Sequence, residues 1–479
     1  MAVTKRYSHG KKKGNYIALV RSLEKDWQSL CSHYLPMSRT DSIWRYSRGT
    51  IPDGMEQGWK IHISATILSA SRILKNVAPL LCSTGTLFKA PISLHELSKI
   101  NSGLHYGFSQ IGKFITVYPR NPNEAVSLAQ KLHRLTCQMS GPIVPYDLPF
   151  HSGSCIYYRY GSFASSSITK PDGTLIPALK KPNGKLIPDH RKPGMAAPGW
   201  VPNPFPESPK VLKTGQVTPL KTTIRAYKAI SQRGKGGVYR ALDLSVLPAR
   251  LCILKEGRKH GETDWGGRDG SWRVRHEEQV LHELFSASVP VPAVYTSFWI
   301  KSYYYLVTEF IEGTNLQSLV TRKSKRLSVR RALKYGLQLS VILSKIHQMG
   351  WVWRDCKPLN LILSKDGVLR PLDFEGACRS NLPDPMPWGT TGYAPPEYLK
   401  EPATGSRIPE DLYALGSTLC QLLIGETLRT ATPASLKREL GQRVETALVE
   451  VISALLDPEP LSRPDAQTTS QILRMIYPD

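Results

Sequence analysis

The run Trp353-Arg354-Asp355-Cys356-Lys357-Pro358-Leu359-Asn360, followed thirteen residues past its Asn by Asp373-Phe374-Glu375-Gly376, constrains this chain more than any other feature. Phosphoryl transfer to a hydroxyl needs a carboxylate beside the attacking oxygen and oxygen ligands for a divalent cation. Asp355 has the place for orienting and deprotonating the hydroxyl, and Lys357 the place for meeting the γ-phosphate. Asn360 and Asp373 are the expected metal ligands, and magnesium favours such a small oxygen set completed by phosphate oxygens. Two details depart from the usual pattern of such loops. Trp353 stands where a His is common, and Glu375 pushes the glycine one place on, to Gly376.

The remaining parts of such a site occur in the required order. CILKE (252–256) has the shape of a strand that presents Lys255 to the α- and β-phosphates. HEEQVL (276–281) reads as helix, with Glu277 as the partner of Lys255 and Glu278 as the neighbouring alternative. SQRGKGGVY (231–239) is a degenerate glycine loop in which Gly236 holds the last glycine's place and Gly234 and Gly237 add freedom, with Gly234 and Gly236 the expected nucleotide contacts. YLVTEFIEG (305–313) reads as a hinge whose Glu309 and Ile311 offer backbone groups to a nucleobase. GTTGYAPPE (389–397) looks like the end of an activation segment, with Glu397 predicted to pair with Arg463 and Asp411 to anchor the catalytic loop. Singly, each motif is most simply a surface turn. In this order they resemble a two-lobed protein kinase, which implies ATP, with GTP as the alternative, and Mg2+. Lys255, Asp355, Asn360 and Asp373 together argue against a pseudokinase.

Composition limits the rest. A chain of 479 residues suggests two or three domains. No apolar run reaches the roughly 20 residues of a spanning helix, and no secretory pattern follows the basic N-terminus. A cytoplasmic protein without membrane association is expected. The eight cysteines are dispersed, without CxxC or zinc spacing, so reduced thiols are expected. The net charge of +25 is spread along the chain with no small nucleic-acid-binding signature. Nucleic acid is therefore not expected, and an acidic or phosphorylated substrate draws on the same field.

A Pro-, Gly- and Lys-rich insert over 165–205 interrupts the chain. Its turn signals PDG (171–173) and PNG (182–184), each followed by a short apolar run, predict hairpin-like excursions from the core. The predicted division is a domain over 1–205, a linker over 206–225 and a kinase-like domain over 226–479, α+β throughout. Before the boundary, WKIHIS (59–64), KFITVYP (113–119) and CIYYRYG (155–161) read as strands, and 65–80 and 123–135 as helices.

In WKIHIS, strand periodicity puts Lys60, His62 and Ser64 on one face and Ile61 and Ile63 on the other. Such a strand holds a cation and an acid/base group side by side. LFKAP (87–91) sets Lys89 between apolar residues, and a desolvated lysine can serve as a base. IYYRYG (156–161) supplies Arg159, whose fork suits a phosphate. From spacing alone, these cations read most simply as surface charges.

GWKIHIS (58–64), FKAP (88–91), GKFITVYP (112–119), YRYGSF (158–163), the insert ending VPNPF (201–205) and the kinase-like half make nearly all of 50–479 similar to class III and class IV lanthipeptide synthetases. That resemblance implies a phosphoserine/phosphothreonine lyase, similar to bacterial effector phosphothreonine lyases, ahead of a Ser/Thr kinase. The kinase would phosphorylate Ser and Thr of a ribosomally made precursor peptide carrying a leader. The lyase would then eliminate phosphate to leave dehydroalanine or dehydrobutyrine. The resemblance implies Lys89 as base, His62 as acid, and Lys60 and Arg159 as phosphate ligands aided by Tyr118. A regular strand over 113–119 would turn Lys113 away from Tyr118, so Tyr118 alone is favoured. An arginine expected a few residues before Gly112 is missing.

Those synthetases continue into a cyclase domain, whereas this sequence reaches Asp479 just past the kinase-like motifs. The expectation is dehydration without ring closure, completed by a separate cyclase or decarboxylase partner or by spontaneous thiol addition. A homodimer is left open. The alternative is a regulatory Ser/Thr protein kinase whose N-terminal domain only binds substrate. Asp355→Asn is expected to abolish peptide phosphorylation by orders of magnitude, while a synthetic phosphopeptide is still converted. Mass spectrometry of both substrates checks this, and failure on the phosphopeptide contradicts a two-site enzyme.

Overall fold

Alternation in WKIHI buries Ile61 and Ile63 completely on one side of a strand and turns Lys60 and His62 to the other. This strand, β3 (Gln57–Ile63), lies inside a seven-stranded sheet. The computed structural model describes residues 15–38, 43–163, 166–189, 191, 194–205, 223–321, 326–382, 384–386, 388–399, 407–425, 438–441 and 444–476. The other strands of the sheet are β1 (Met37–Ser38), β2 (Trp44–Tyr46), β4 (Leu87–Pro91), β5 (Ile115–Tyr118), β6 (Leu148–Pro149) and β7 (Ile156–Ser162). The spatial order is β1-β2-β4-β5-β3-β7-β6, and β3 runs antiparallel to both neighbours. Trp59, Ile61, Ile63, Phe88, Val117 and Tyr158 form a buried apolar layer together with helices α1 (Asn15–Tyr34), α2 (Ala70–Ser83) and α4 (Pro122–Thr136). Helix α3 (Leu94–Ser102) starts where Ser93 accepts from the Glu96 amide, and α4 where Asn121 accepts from that of Glu124. The polar face of the sheet is thereby left for a site.

The strand expected over 113–119 is shorter than predicted. Gly112 has a φ of +74°, and Lys113 N donates to Gln110 O, so regular pairing begins only at Ile115. Lys113 therefore escapes the strand alternation that was expected to turn it away from Tyr118.

The insert forms the two predicted hairpins, β8 (Ser167–Thr169), β9 (Leu175–Lys180) and β10 (Leu186–Pro188), closed by turns at Gly173 and Gly184, each with a φ of +82°. It is more than an excursion from the core. On its return, Phe205 stacks on Tyr158 with ring centroids 3.8 Å apart and meets Trp59 edge-on. Residues 206–222 of the predicted linker lie outside the described residues.

The second domain opens at Ile224 with a sheet in the order β11 (Ile224–Gln232), β12 (Gly236–Asp243), β13 (Arg250–Gly257), β15 (Tyr303–Glu309), β14 (Val294–Ile300). Helix α5 (Gly270–Ser286) packs on β13 and β15. A helical lobe follows, built on α6 (Val329–Gln348) and α7 (Ile408–Ile424). The fold is thus a mixed domain followed by a β-rich lobe and a helical lobe. The domains meet at the turn between β11 and β12, where Gly234 N donates to Ser102 O at 3.0 Å. A Cβ at Gly234 would lie 1.8 Å from Asn101 O, so this glycine answers to the domain contact. Trp265, between β13 and α5, packs against the N-terminal core beside His95.

Phe205→Ala is expected to destabilise the N-terminal domain by about 3 kcal/mol, in the range for a buried aromatic. A denaturant midpoint unchanged from wild type would contradict the insert's place in the core.

Candidate active sites

One cross-strand row on the polar face of the sheet carries the residues singled out in the sequence. Tyr46 pairs with Lys89, Lys89 with Thr116, Thr116 with His62, and His62 with Tyr157. A neighbouring row pairs Lys60 with Arg159. The Lys60 ammonium lies 5.5 Å from the Tyr118 ring centroid, and that of Lys89 lies 4.3 Å from Trp44. Lys60, His62, Lys89, Tyr118 and Arg159 are therefore brought to one side of the sheet. His62 and Lys89 sit two strand spacings apart, roughly 10 Å between backbones, with Thr116 between them.

Asp147, just before β6, organises this face. Its fully buried carboxylate accepts a hydrogen bond from His62 Nδ1 at 2.5 Å and lies 3.5 Å from Lys113 Nζ and 4.0 Å from Arg159 Nε. Burial works against its ionisation, but Lys113 and His62 prevail and hold its pKa at about 2. An ionised carboxylate only accepts, so Nδ1 carries the His62 proton and Nε2 is bare. Burial brings His62 down to about 3 despite Asp147, so the imidazole is neutral before a ligand arrives. Burial, with Arg159, Lys89 and Lys113 nearby, brings Lys60 down to about 7. Lys113 falls to about 8, again through burial, although Asp147 pulls the other way. Burial is the main cause for both lysines, and for Lys60 the neighbouring cations add to it.

Four contributors were not read from the sequence as site residues. Asp147 comes from a loop, and Lys113 was turned away by an overlong strand assignment. Asp189 and Arg191 come from the return of the insert. Arg159 Nη2 donates to Asp189 Oδ1 at 2.5 Å, and Arg191 Nη1 donates to Ser109 Oγ at 2.6 Å. Arg191 thus reaches the loop just before Gly112, where the missing arginine was expected. Only the unexplained gap at that loop signalled it in the sequence.

The kinase-like cleft is assembled. Lys255 Nζ donates to both oxygens of Glu277 at 2.7 Å and lies 3.7 Å from Asp373 Oδ1. Burial would strip its proton, but Glu277 and Asp373 hold it above its ordinary value. Asp355 accepts from Lys357 at 2.7 and 2.8 Å, from Thr390 at 3.0 Å and from Asn360 Nδ2 at 2.8 Å. Burial pushes the Asp355 carboxyl up, opposed by Lys357, a favourable direction for a proton acceptor. Asp411 anchors the loop by accepting from the amides of Trp353 and Arg354. Trp353 fills the usual His place by stacking on Phe374 and donating Nε1 to Asp373 O at 3.2 Å. Arg463 and Glu397 form the expected fork at 2.7 and 2.9 Å. At the hinge, the Glu309 amide is taken by Ala293 O, and its side chain accepts from Arg370. Ile311 follows two residues on, half-buried, between β15 and the helical lobe.

Asn360 commits its Nδ2 to Asp355, which leaves its Oδ1 as the metal-facing donor. The Leu372 amide bonds Asn360 O and so brings Asp373 alongside. These hard oxygen donors fit a divalent cation. Glu375, which stands where the glycine is usual, has a partner of its own. Glu375 forms an ion pair with Lys235 of the glycine loop. A Cβ at Gly236 would meet Glu256 O at 1.7 Å, so Gly236 is fixed by the close approach of β12 to β13.

The description "RamC, N-terminal domain" matches residues 35–217, and "Protein kinase domain" matches 234–475, just over half of the chain. The chain is 29% identical over 345 residues to a probable SapB synthase of Streptomyces coelicolor, an alignment covering 70% of this chain and 37% of that protein. It is 30% identical over 265 residues to serine/threonine-protein kinase F of Synechocystis, covering 49% and 51%. It is 32% identical over 227 residues to 3-phosphoinositide-dependent protein kinase 1 of Arabidopsis thaliana, covering 43% and 45%. The chain thus spans roughly a third to a half of the length of these curated relatives. No helix among the described residues is long and apolar enough to cross a membrane.

Sulfate stays a dianion across neutral pH. Its affinity for the N-terminal pocket is expected to fall by about tenfold or more from pH 6 to 9, as Lys60 and then Lys113 lose protons. Calorimetry against Lys60→Met as the blank checks this, and a flat profile contradicts it.

Proposed function

The chain belongs to the protein kinase domain family and carries a RamC N-terminal domain ahead of the kinase, as a class III/IV lanthipeptide synthetase-like protein; from that premise we propose that it dehydrates Ser and Thr of a ribosomally made precursor peptide in two steps. The observation that carries the proposal is the cation-rich pocket around His62 and Lys89 in the same chain as a complete kinase cleft.

In the first step, Lys255 and Lys357 face the phosphates of a nucleoside triphosphate, and Glu309 and Ile311 face its base. A divalent cation held by Asn360 and Asp373 would neutralise charge on the transferring phosphoryl group. Asp355 takes the proton of the Ser or Thr hydroxyl as its oxygen bonds to the γ-phosphorus, and the nucleoside diphosphate leaves with the electron pair of the broken P–O bond. In the second step, Lys60, Arg159 and Lys113 hold the phosphoryl group, with Tyr118 packed against Lys60. Lys89, held over the Trp44 ring as an ammonium, must shed its proton before it accepts the Cα proton. The Cα–H electron pair forms the Cα=Cβ bond while the Cβ–O bond breaks. Phosphate leaves with both electrons of that bond and takes a proton from His62. His62 is neutral in the empty pocket, so the arriving phosphoryl charge must raise its proton affinity before it can act as an acid. Asp147 then stabilises the imidazolium from Nδ1. The basic surface, with a net charge of +25, suits an acidic leader.

Lys89→Met is expected to stall the reaction after phosphate transfer, so that the peptide gains about 80 Da per site instead of losing about 18 Da. His62→Ala is expected to accumulate the same phosphopeptide less completely. Mass spectrometry of the products checks both. A normally dehydrated product from Lys89→Met would remove Lys89 as the base. A wild-type enzyme yielding only stable phosphopeptide would favour a regulatory kinase.

A further inference from the structure

The return of the insert places an acid and a base beside the phosphate-binding residues. The Asp189 amide donates to Pro177 O at 2.7 Å, which ties the residue to β9. Its carboxylate takes the hydrogen bond of Arg159 Nη2, and both side chains are more than nine-tenths buried. Arg191 reaches Ser109 in the loop that leads into Gly112 and Lys113. The charges that act on Lys60, Lys113 and Arg191 include one another's neighbours Arg159, Asp147 and Asp189. All of these groups therefore belong to one cluster of charge.

The two carboxylates of that cluster are used differently. Asp147 is held by His62 and by the ion pairs that make the acid/base group work. Asp189 serves none of the reacting groups. It accepts from Nη2 of Arg159, one arm of the fork that a phosphoryl oxygen needs, while Nε lies 4.0 Å from Asp147. A buried guanidinium without an acceptor is costly, so some anion has to occupy it between turnovers.

We propose that Asp189 is a resident stand-in for phosphate on Arg159, displaced when a phosphorylated side chain enters, and that Arg191 is a further phosphate ligand supplied by the insert. This inference rests on the lyase reading of the pocket. Its consequence is selectivity for the phosphorylated residue. A neutral Ser or Thr hydroxyl cannot replace a buried carboxylate on Arg159. A phosphoryl dianion brings more charge and more acceptor oxygens and can do so. The site thus admits the product of the kinase step and rejects its substrate.

The test uses the full chain and two readouts. Elimination from a synthetic phosphoserine peptide gives KM and kcat, and calorimetry gives the affinity for inorganic phosphate, which needs no lyase chemistry. Asp189→Ala is expected to tighten inorganic phosphate about fivefold or more and to lower KM in step, because no carboxylate has to leave. Asp189→Asn keeps the shape without the charge and is expected to move the same way, so a folding defect in the alanine variant does not decide the matter. Arg191→Ala is expected to raise KM and weaken phosphate about tenfold, the loss of one charge-assisted hydrogen bond, with kcat within about threefold. Weaker phosphate binding in both Asp189 variants would make Asp189 a prop for Arg159 and overturn the stand-in. Unchanged binding in Arg191→Ala would overturn the further ligand. A wild-type chain that binds phosphate yet eliminates nothing would sink the lyase reading while leaving the two binding results standing.

Discussion

Taking Lys60, Lys113 and Arg159 out of water on one face of a sheet is the constraint around which the N-terminal domain is arranged. Buried cations need matched anions. Asp147 and Asp189 answer that need from two separate loops, and both lie deep in the fold. Three cations face two carboxylates, and burial holds both lysines below their ordinary values. Such a cluster suits a multiply charged anion. Asp147 does the more consequential work, because it fixes both the His62 tautomer and the position of Lys113.

The kinase half meets the same problem with charges already matched. Lys255 is met by Glu277 and Asp373, Lys235 by Glu375, and Lys357 by Asp355. Arg354 is met by Glu410 and by Asp384, which Arg268 also grips. The activation segment is thus held by a carboxylate of the chain itself. The two sites are also joined by a short stretch of chain. Asn101 bonds Ala65 O and the Gly112 amide within the N-terminal domain. Its neighbour Ser102 accepts from Gly234 in the glycine loop.

How much was legible in the sequence follows from where each chemistry is written. Asp355, Lys357, Asn360 and Asp373 lie within a short, ordered stretch, so their spacing carries the geometry. Lys60 and His62 were legible because a period of two fixes their side of the sheet. Lys113 was lost to a strand boundary misplaced by two residues, since such a slip decides which face a side chain takes. Asp147, Asp189 and Arg191 arrive through tertiary contacts between segments distant in sequence, and no local pattern announces them. The hairpin turns of the insert were readable, whereas the return of Phe205 to the core was not. Gly234 was read as a nucleotide contact because a glycine-rich turn looks alike whether it faces a phosphate or a neighbouring domain.

The central claim is that one chain adds a phosphoryl group to a hydroxyl and then expels it with that hydroxyl's own oxygen. A substrate peptide with a heavy oxygen isotope in its Ser hydroxyl, incubated with the chain, nucleoside triphosphate and divalent cation, tests this directly. The account predicts that the label leaves in the released phosphate as the peptide becomes dehydroalanine. Label retained in a stable phosphopeptide, or a dehydrated peptide whose released phosphate is unlabelled, would contradict it.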